Sequence, residues 1–371
     1  MLNSFHPMML KNKYVDAAYF FSCLYPFSKA LFSVVLFTCI LFLGPALQAY
    51  PQKLPTIDNP VLPGVADAGV IKFNGEYYLG GVFTNGSFYI SKDLIEWEGP
   101  VQVFSMDNDW TEGPSAGNDQ IHDALPEQPS WADRDFWAPH VLYDSEDQTY
   151  YMYYSGESVE SAIGKCMGVA TSKNPEGPFV DKGQSLLCGE GFIEIDPMAF
   201  DDPATGNKFL YWGSGHEAIK VQELADSRTD FKPGSQPIDL IDTIADDHSD
   251  NYQKLVEGAW VVYRDGFYFL FYSGDNCCGE NAHYAVMVAR SKKATGPFES
   301  LAEATGSKNS VILEGNGKWL ATGHNSVIMD STGQDWMAYH VIDSTDKEKG
   351  RVMLMDKIIW NNGWPQIIKG N

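Results

Sequence analysis

Short apolar and aromatic runs alternate with turn-forming polar residues along most of this chain, and one arrangement recurs five times. In each copy a short polar motif precedes an apolar strand, a turn and a second strand rich in aromatic residues. Turns of the Asn-Gly, Asp-Gly or Thr-Gly kind between such runs are typical of β-hairpins. The five copies are anchored at Asp67, Trp137, Asp196, Glu257 and His324.

A less regular segment follows each hairpin, and its pattern indicates a third strand, a turn and a short outer strand. About four strands per repeat, without any sustained helical periodicity, predict an all-β fold and exclude a parallel α/β sheet. We therefore predict a five-bladed β-propeller of antiparallel strands, formed by a single domain at 50–371, because closing the ring removes open sheet edges. Insertions at 104–135 and 240–256 precede motif strands and are predicted to lie over the same mouth.

Residues 1–49 differ from the repeats, because a basic start is followed by an apolar run at 30–43 and then by small residues that end at Ala49. This order is typical of a secretory signal peptide, and the apolar run is shorter than the roughly 20 residues of a membrane span. We predict cleavage after Ala49 and a secreted chain without membrane attachment. An uncleaved signal-anchor stays open, because the segment before the apolar run is long.

Composition narrows the choice of partners. The chain has 371 residues, of which 44% are hydrophobic, and a formal net charge of −23. The apolar content is sufficient for a large core, and the negative charge would repel phosphate backbones, so we expect no nucleic-acid partner. We also expect a monomer.

Four cysteines remain after the predicted signal: Cys166, Cys188, Cys277 and Cys278. An even number on an export route indicates disulfides, and the absence of a Cys-x-x-C spacing disfavours zinc. The nearby pair Cys166–Cys188 is favoured; Cys277 and Cys278 would then be either a vicinal disulfide or two thiols. Asn85 begins the sequence Asn-Gly-Ser, which fits a glycosylation site, a hairpin turn or both.

Acids and histidines recur near the start of the predicted inner strands: Asp67, His140, Asp196, Glu257 and His324. The first strand of each blade lines the axis of a propeller, so these side chains are expected to converge at one mouth. Each alone has a plain reading as a turn, cap or structural residue. Their recurrence favours a site, and paired carboxylates acting as acid and base are what glycosidic cleavage needs.

Several motifs together carry a resemblance to a known family. They are the segment ending at Asp67, Trp-Ala-Pro-His ending at His140, Ile-Asp-Pro around Asp196, Glu257-Gly, and Gly-His ending at His324, with a closing Gly-Arg and Trp-Asn-Asn-Gly-Trp-Pro near the end. Over nearly all of 57–366 the chain resembles glycoside hydrolase family 43, five-bladed propellers that act on arabinose- and xylose-containing polysaccharides. The resemblance implies an inverting hydrolase of α-L-arabinofuranosyl or β-D-xylosyl linkages.

The resemblance also implies roles for single residues. Asp67 would be the base, Glu257 the acid, and Asp196 the residue that orients the acid and holds its pKa. Arg351 matches a family arginine at the sugar. His324 matches a histidine that in many members lies beside a hydrated calcium, so Ca²⁺ is a weak expectation here and no cofactor is otherwise required; the sequence has no carboxylate-rich cation loop.

Aromatic residues near the predicted mouth are candidates for stacking on sugars. The substrate-binding set comprises Trp137 and Trp260 together with His140, His324 and Arg351. For any single aromatic other than Trp137, including Trp110, Trp131, Phe136 and Trp260, packing within a blade is the favoured interpretation.

Two positions depart from the family pattern. The family base usually stands in Ala-Asp-Pro, whereas Asp67 is followed by Ala68-Gly69, and His140 stands where the second-blade motif usually ends in an acid. Three alternatives therefore stay open: a propeller that binds carbohydrate without cleaving it, a retaining fructoside hydrolase (whose Asn-Asp-Pro motif is missing) and a glycoside phosphorylase. An inverting enzyme would hold the carboxyl groups of Asp67 and Glu257 roughly 6.5–9.5 Å apart.

Overall fold

Antiparallel sheets account for almost all of the described chain. The structure is a computed structural model that describes residues 57–81, 86–105, 127–160 and 162–369. Its strands form five separate sheets of four or five strands, and the first strands of the sheets contact one another in a closed cycle. The fold is the predicted five-bladed β-propeller.

The strands follow the chain blade by blade, after a short strand β1 at Leu62–Pro63. Blade 1 contains β2 (Gly69–Phe73), β3 (Glu76–Gly80), β4 (Ser87–Ser91) and β5 (Trp97–Gln102). Blade 2 contains β6 (Ala132–Asp144), β7 (Thr149–Ser158), β8 (Lys165–Ser172), β9 (Val180–Asp181) and β10 (Leu187–Gly189). Blade 3 contains β11 (Met198–Asp201), β12 (Lys208–Trp212), β13 (Ile219–Glu223) and β14 (Ile238–Ile241).

The last two blades contain the only helical turns among the described residues. Blade 4 contains β15 (Val256–Arg264), β16 (Phe267–Asn276), β17 (His283–Ser291), β18 (Glu299–Ser300), helix α1 (Leu301–Thr305) and β19 (Val311–Glu314). Blade 5 contains β20 (Trp319–Met329), β21 (Asp335–Asp343), a 3₁₀ turn (Lys347–Lys349), β22 (Arg351–Asn361) and β23 (Trp364–Ile368). Among all the residues that the structure describes, no helix is long and apolar enough to cross a bilayer.

The core consists of five apolar clusters, one between each pair of neighbouring blades. This arrangement explains why the middle of each second strand is mainly apolar or aromatic: in β7, for example, Tyr150 to Tyr154 are all at most 6% exposed, because both faces of the strand meet a neighbouring blade. Side chains that alternate between faces are then buried on both sides.

The two ends of the described chain close the ring. Strand β1 pairs with β22, so the start of the propeller completes the sheet of blade 5. Just before it, the Asn59 side chain accepts a hydrogen bond from the backbone N–H of Met355 at 2.9 Å and donates to the Met355 carbonyl at 3.2 Å. Strand β1 thus pairs with the first part of β22, and β23 pairs with its last part, so little of the outer edge of β22 is left unpaired.

Cysteine pairing agrees with the favoured prediction. Cys166 and Cys188 face each other on β8 and β10 and form a disulfide, and Cys277 and Cys278 form the vicinal one. The predicted signal at 1–49, Asn85 and most of the insertion at 104–135 lie outside the described residues.

Candidate active site

Each inner strand region contains a left-handed residue at an equivalent position, and β6 and β20 contain a second one, Asp135 and Ala321. The five equivalent residues are Asp67, Ala138, Asp196, Gly258 and His324, with φ between 47° and 63°. The register of the sheet shifts beside three of them, in β6, β15 and β20. For residues other than glycine this conformation costs on the order of 1 kcal/mol, and such strain is concentrated at functional sites. Five equivalent kinks thus mark one level of the propeller.

The kinks decide which predicted residues meet. Glu257 precedes its kink by one residue, and it lines a cavity of about 760 Å³ together with Asp67, Asp196 and His324. Two further members of the predicted set, Trp137 and Arg351, line the same cavity. Six predicted side chains from all five blades are therefore brought together.

His140 and Trp260 lie elsewhere. Each follows its kink by two residues, so both are one level deeper in the ring, where their rings meet edge to face with centroids 5.1 Å apart. They line a separate cavity of about 20 Å³. His140 Nδ1 accepts the backbone N–H of Ala199 at 3.3 Å, and burial lowers the pKa of His140 to about 3. The structure thus places neither residue at the large cavity where substrate contact was predicted.

Asp67 is surrounded by cationic and imidazole groups. Its Oδ1 lies 3.2 Å from Nδ1 of His324, 3.0 Å from Nδ1 of His340 and 3.2 Å from Nη1 of Arg351. Burial opposes ionisation, but the charges of Arg351 and His324 outweigh it and hold the pKa of Asp67 well below its usual range. Asp67 is therefore a carboxylate throughout the working pH range.

Asp196 has the opposite environment. It is 6% exposed and its Oδ2 accepts the backbone N–H of Gly258 at 3.2 Å. Burial raises the pKa of Asp196 to about 7; the charge of His324 opposes this shift, whereas the carboxylates of Glu257 and Asp67 add to it. Two carboxyl groups with such different proton affinities are the arrangement that acid–base chemistry uses.

Glu257 is held at both oxygens. Ser214 donates its hydroxyl to Oε2 at 2.8 Å, and Tyr284 donates to Oε1 at 2.7 Å. Glu257 is less buried than Asp196, so of the two it is the one better placed to reach a bound substrate. Its carboxyl group has a fixed orientation toward the cavity.

His324 joins the acidic residues. Burial alone would lower its pKa, but the charges of Asp67, Asp196 and Glu257 outweigh this and raise the pKa of His324 above its usual value. Its backbone N–H donates to Oγ of Ser273 at 2.7 Å, which fixes the kinked strand. The imidazole of His324 therefore faces three acids, which favour its protonated form.

Sequence reasoning did not find three of the residues that shape this site: Ser214, Tyr284 and His340. They come from the second and third strands of their blades or from just beyond them, whereas the recurring polar motifs lie at the inner strands. His340 is 1% exposed, stacks on Tyr284 with centroids 5.6 Å apart, and has a pKa lowered to about 4 by burial. The available signal for His340 was a histidine directly after the aromatic-rich run Trp-Met-Ala-Tyr of β21.

The remaining candidate aromatics belong to the blades. Trp131 stacks on Tyr154 and donates its indole N–H to Asp181 at 3.2 Å, and Phe136 is 1% exposed in the same cluster. Trp110 lies outside the described residues. Packing within blade 2 thus explains Trp131 and Phe136.

Possible metal donors occur once among the described residues. One ligand atom each from Asp196, Glu257 and His324 lies within 4.8 Å of the others. Calcium prefers six to eight oxygen ligands, whereas this set offers two carboxylates and a nitrogen. The small cavity beneath adds an Asn325 amide oxygen without a hydrogen-bond partner, but Glu257 does not line that cavity, so protein groups alone would leave most of a calcium shell unfilled. The donors fit calcium poorly.

Comparison with known proteins decides the family. The sequence profile described as glycosyl hydrolases family 43 matches residues 57–365. The chain belongs to glycoside hydrolase family 43. This family 43 enzyme is 26% identical over 342 residues to the extracellular exo-α-(1→5)-L-arabinofuranosidase ArbA of Cellvibrio japonicus, covering 87% of this chain and 89% of ArbA.

Two further comparisons agree. The family 43 enzyme is 29% identical to the β-D-galactofuranosidase xynD of Aspergillus niger, over 86% of this chain and 89% of that protein. Its fold matches the structure of a Cellvibrio cellulosa α-L-arabinanase complexed with arabinohexaose at a TM-score of 0.65 and 21% identity, covering 83% of this chain and 96% of the arabinanase. The enzyme is a glycoside hydrolase with a propeller fold.

Proposed function

We propose that this family 43 enzyme hydrolyses α-L-arabinofuranosyl linkages in arabinan-type polysaccharides with inversion at the anomeric carbon. The supporting observation is the shared cavity, where an ionised Asp67, a proton-holding Asp196 and the hydrogen-bonded carboxyl group of Glu257 come from three different blades. The relatives named for arabinofuranose and galactofuranose chemistry favour a five-membered sugar ring over the β-D-xylosyl alternative.

The proposed reaction is a single displacement. Asp67 accepts a proton from a water molecule as that water attacks the anomeric carbon, and Glu257 donates its proton to the leaving glycosidic oxygen. The bond from the anomeric carbon to that oxygen breaks with its electron pair on the leaving group. Asp67 ends protonated and Glu257 ionised, and proton exchange with solvent restores the starting state.

Neighbouring residues support Asp67 and Glu257 and contact the sugar. Arg351 and His324 keep Asp67 ionised before the reaction and offer donors to sugar hydroxyls in the cavity. Asp196, which lies deeper and accepts the backbone N–H of Gly258, helps to orient the neighbouring Glu257. Ser214 and Tyr284 hold the Glu257 carboxyl group in place.

The stereochemical outcome tests this proposal. Purified mature enzyme would be mixed with arabino-oligosaccharides and followed by proton NMR during the first turnovers, before mutarotation. We expect the β-anomer of arabinose to appear first. Initial α-anomer would contradict inversion, and cleavage of xylo-oligosaccharides or galactofuranosides alone would contradict the sugar assignment.

We propose that catalysis needs no metal ion, because the donor set fits calcium poorly and the mechanism uses only protein groups. After dialysis against EDTA, kcat/KM is expected to stay within a factor of two of the untreated value. A loss that added Ca²⁺ restores, measured alongside the melting temperature, would contradict this. Restored stability without a change in kcat/KM would indicate a structural ion.

We further propose that the enzyme is exported and monomeric. The order of charges and apolar residues before Ala49 supports export, and the relative ArbA is named as extracellular. N-terminal sequencing of secreted protein is expected to begin at Tyr50, and gel filtration to give a single-chain mass. Retention in the membrane fraction would instead support the signal-anchor.

A further inference from the structure

Phe192 is an exposed aromatic residue in the wall of the large cavity. It lies between β10 and β11 and lines the cavity that contains the three acids. Its side chain is 56% exposed, the highest fraction among the large exposed hydrophobic residues of the described chain. Exposed aromatic surface at a binding cavity is a common recognition feature, whereas blade packing explains the other aromatics of the region.

Phe192 does not stand alone, because its ring is parallel to that of Trp137. The two planes differ by 1° and the ring centroids are 6.1 Å apart. Nζ of Lys165 lies 4.2 Å from the Trp137 centroid and 5.5 Å from the Phe192 centroid. Because the two centroids are only 6.1 Å apart, the two ammonium distances place Nζ to one side of the line that joins the centroids and not between the rings.

The pair has a rigid support. Lys165 is 2% exposed and forms ion pairs with Asp135 and Glu157, so the ammonium beside both rings is itself fixed. The backbone N–H of Lys165 donates to the carbonyl of Gly191, directly before Phe192, at 3.3 Å. An exposed ring on a fixed backbone loses little conformational entropy when a ligand covers it.

Neighbouring residues fix the segment from both ends. The Cys166–Cys188 disulfide anchors it on one side. On the other side Glu194 accepts the indole N–H of Trp212 and pairs with Lys220. The segment containing Phe192 is thus braced by a covalent bond, an ion pair and backbone hydrogen bonds.

We propose that Phe192 and Trp137 together form a stacking platform for an arabinan chain, and that Phe192 makes the enzyme favour longer oligosaccharides over short ones. Sugar rings present apolar C–H faces, and these pack on aromatic rings whose faces are open to solvent. Two parallel rings supply contact for more than one sugar unit. The inference rests on the proposed arabinan-degrading function and adds to it a preference for the length of the arabinan substrate.

The test compares substrates of increasing length in Phe192→Ala, Phe192→Tyr and the native enzyme. For Phe192→Ala we expect kcat/KM on arabinohexaose to fall about tenfold, mainly through KM, and the ratio of hexaose to biose activity to fall with it. Phe192→Tyr keeps the ring and is expected to keep the ratio. Met329→Ala, which removes another exposed apolar side chain outside the cavity, is the control and should leave the ratio unchanged.

Binding is measured separately from turnover. Titration of arabinohexaose into Glu257→Gln is expected to give a dissociation constant about tenfold lower than titration into Glu257→Gln/Phe192→Ala. Equal constants, or an equal loss of activity on every chain length, would overturn the platform. A native enzyme that cleaves no arabino-oligosaccharide would instead refute the proposed function. The same comparison of substrate lengths would then be made with oligosaccharides of the sugar that it cleaves.

Discussion

Asp196 and Glu257 lie close together, since one oxygen of each comes within 4.8 Å of the other. In a buried site the ionisation of one carboxyl group disfavours that of the other. Asp67 is kept apart from this competition by Arg351 and His324, whose charges favour its ionised form. At the scale of single residues, the neighbouring groups therefore separate an ionised Asp67 from a proton-holding Asp196.

Replacing Glu257 with glutamine keeps its shape but removes the acidic proton. We expect kcat on arabino-oligosaccharides to fall by about 10²–10⁴. The loss should be much smaller on 4-nitrophenyl arabinofuranoside, since nitrophenolate leaves without protonation. Initial rates on both substrates check this, with circular dichroism to show that the fold is retained.

Tyr284→Phe is the matched control, because it removes one hydrogen bond to Glu257 and keeps the acid. It should lower both activities less than Glu257→Gln does. An equal loss on both leaving groups in Glu257→Gln would argue against an acid role for this residue.

Asp196 also has a predicted signature in stability. Its pKa rises from about 3.8 in the unfolded chain to about 7 in the fold. The native state therefore holds a proton that the unfolded chain has lost, and the contribution of Asp196 to stability decreases as pH rises from about 4 to 7. Asp196→Asn cannot ionise, so its free energy of unfolding relative to the native enzyme should be higher at pH 8 than at pH 5. Urea denaturation at both values measures this, and a difference that does not change with pH would contradict it.

At the scale of elements, the inner strands carry the site through their kinks. A regular strand would alternate its side chains between faces and would point few of them along the axis. A left-handed residue in each inner strand region changes that direction, and the residues one before or two after it then occupy different levels. This explains why Glu257 reaches the large cavity and His140 does not.

The disulfide on blade 2 is a second element-scale device. Cys166 and Cys188 are 22 residues apart, and a closed loop of this length is worth about 3 kcal/mol in chain entropy of the unfolded state. Cys166→Ala/Cys188→Ala is expected to lower the free energy of unfolding by about that amount. Urea denaturation measures it. Cys277→Ala/Cys278→Ala is the control, because adjacent cysteines close no loop and its loss should be much smaller.

At the scale of the whole molecule, the ring depends on residues 59–63 joining β22. Asn59→Ala would leave the N–H of Met355, which is 1% exposed, without its partner. We expect the free energy of unfolding to fall by about 1–3 kcal/mol, seen as a lower melting temperature. Asn316→Ala removes a hydrogen bond of the same length, 2.9 Å, inside an exposed local turn, and should have little effect. Equal effects of the two substitutions would show that closure at Asn59 is not special.

Much of the fold could be predicted because its evidence is local. The five hairpins follow from apolar runs and turn residues within each repeat, and apolar second strands follow from burial on both faces. The favoured disulfide was likewise predictable from nearness in sequence. The site was predictable in part: Asp67, Asp196, Glu257, His324, Trp137 and Arg351 share one cavity, whereas Ser214, Tyr284, His340 and Phe192 were not selected.

The sequence by itself determined the number of blades, the order of the strands and which acids stand near the axis, because hydrophobic period and turn chemistry act between neighbours in the chain. Only the tertiary structure decided the level at which each side chain lies and the groups that face it. The kinks of the inner strands and the contacts from other strands set these, and they surround Asp67 with positive charge while burying Asp196 beside another acid. Proton affinity depends on that surrounding, which arises from residues far apart in the chain.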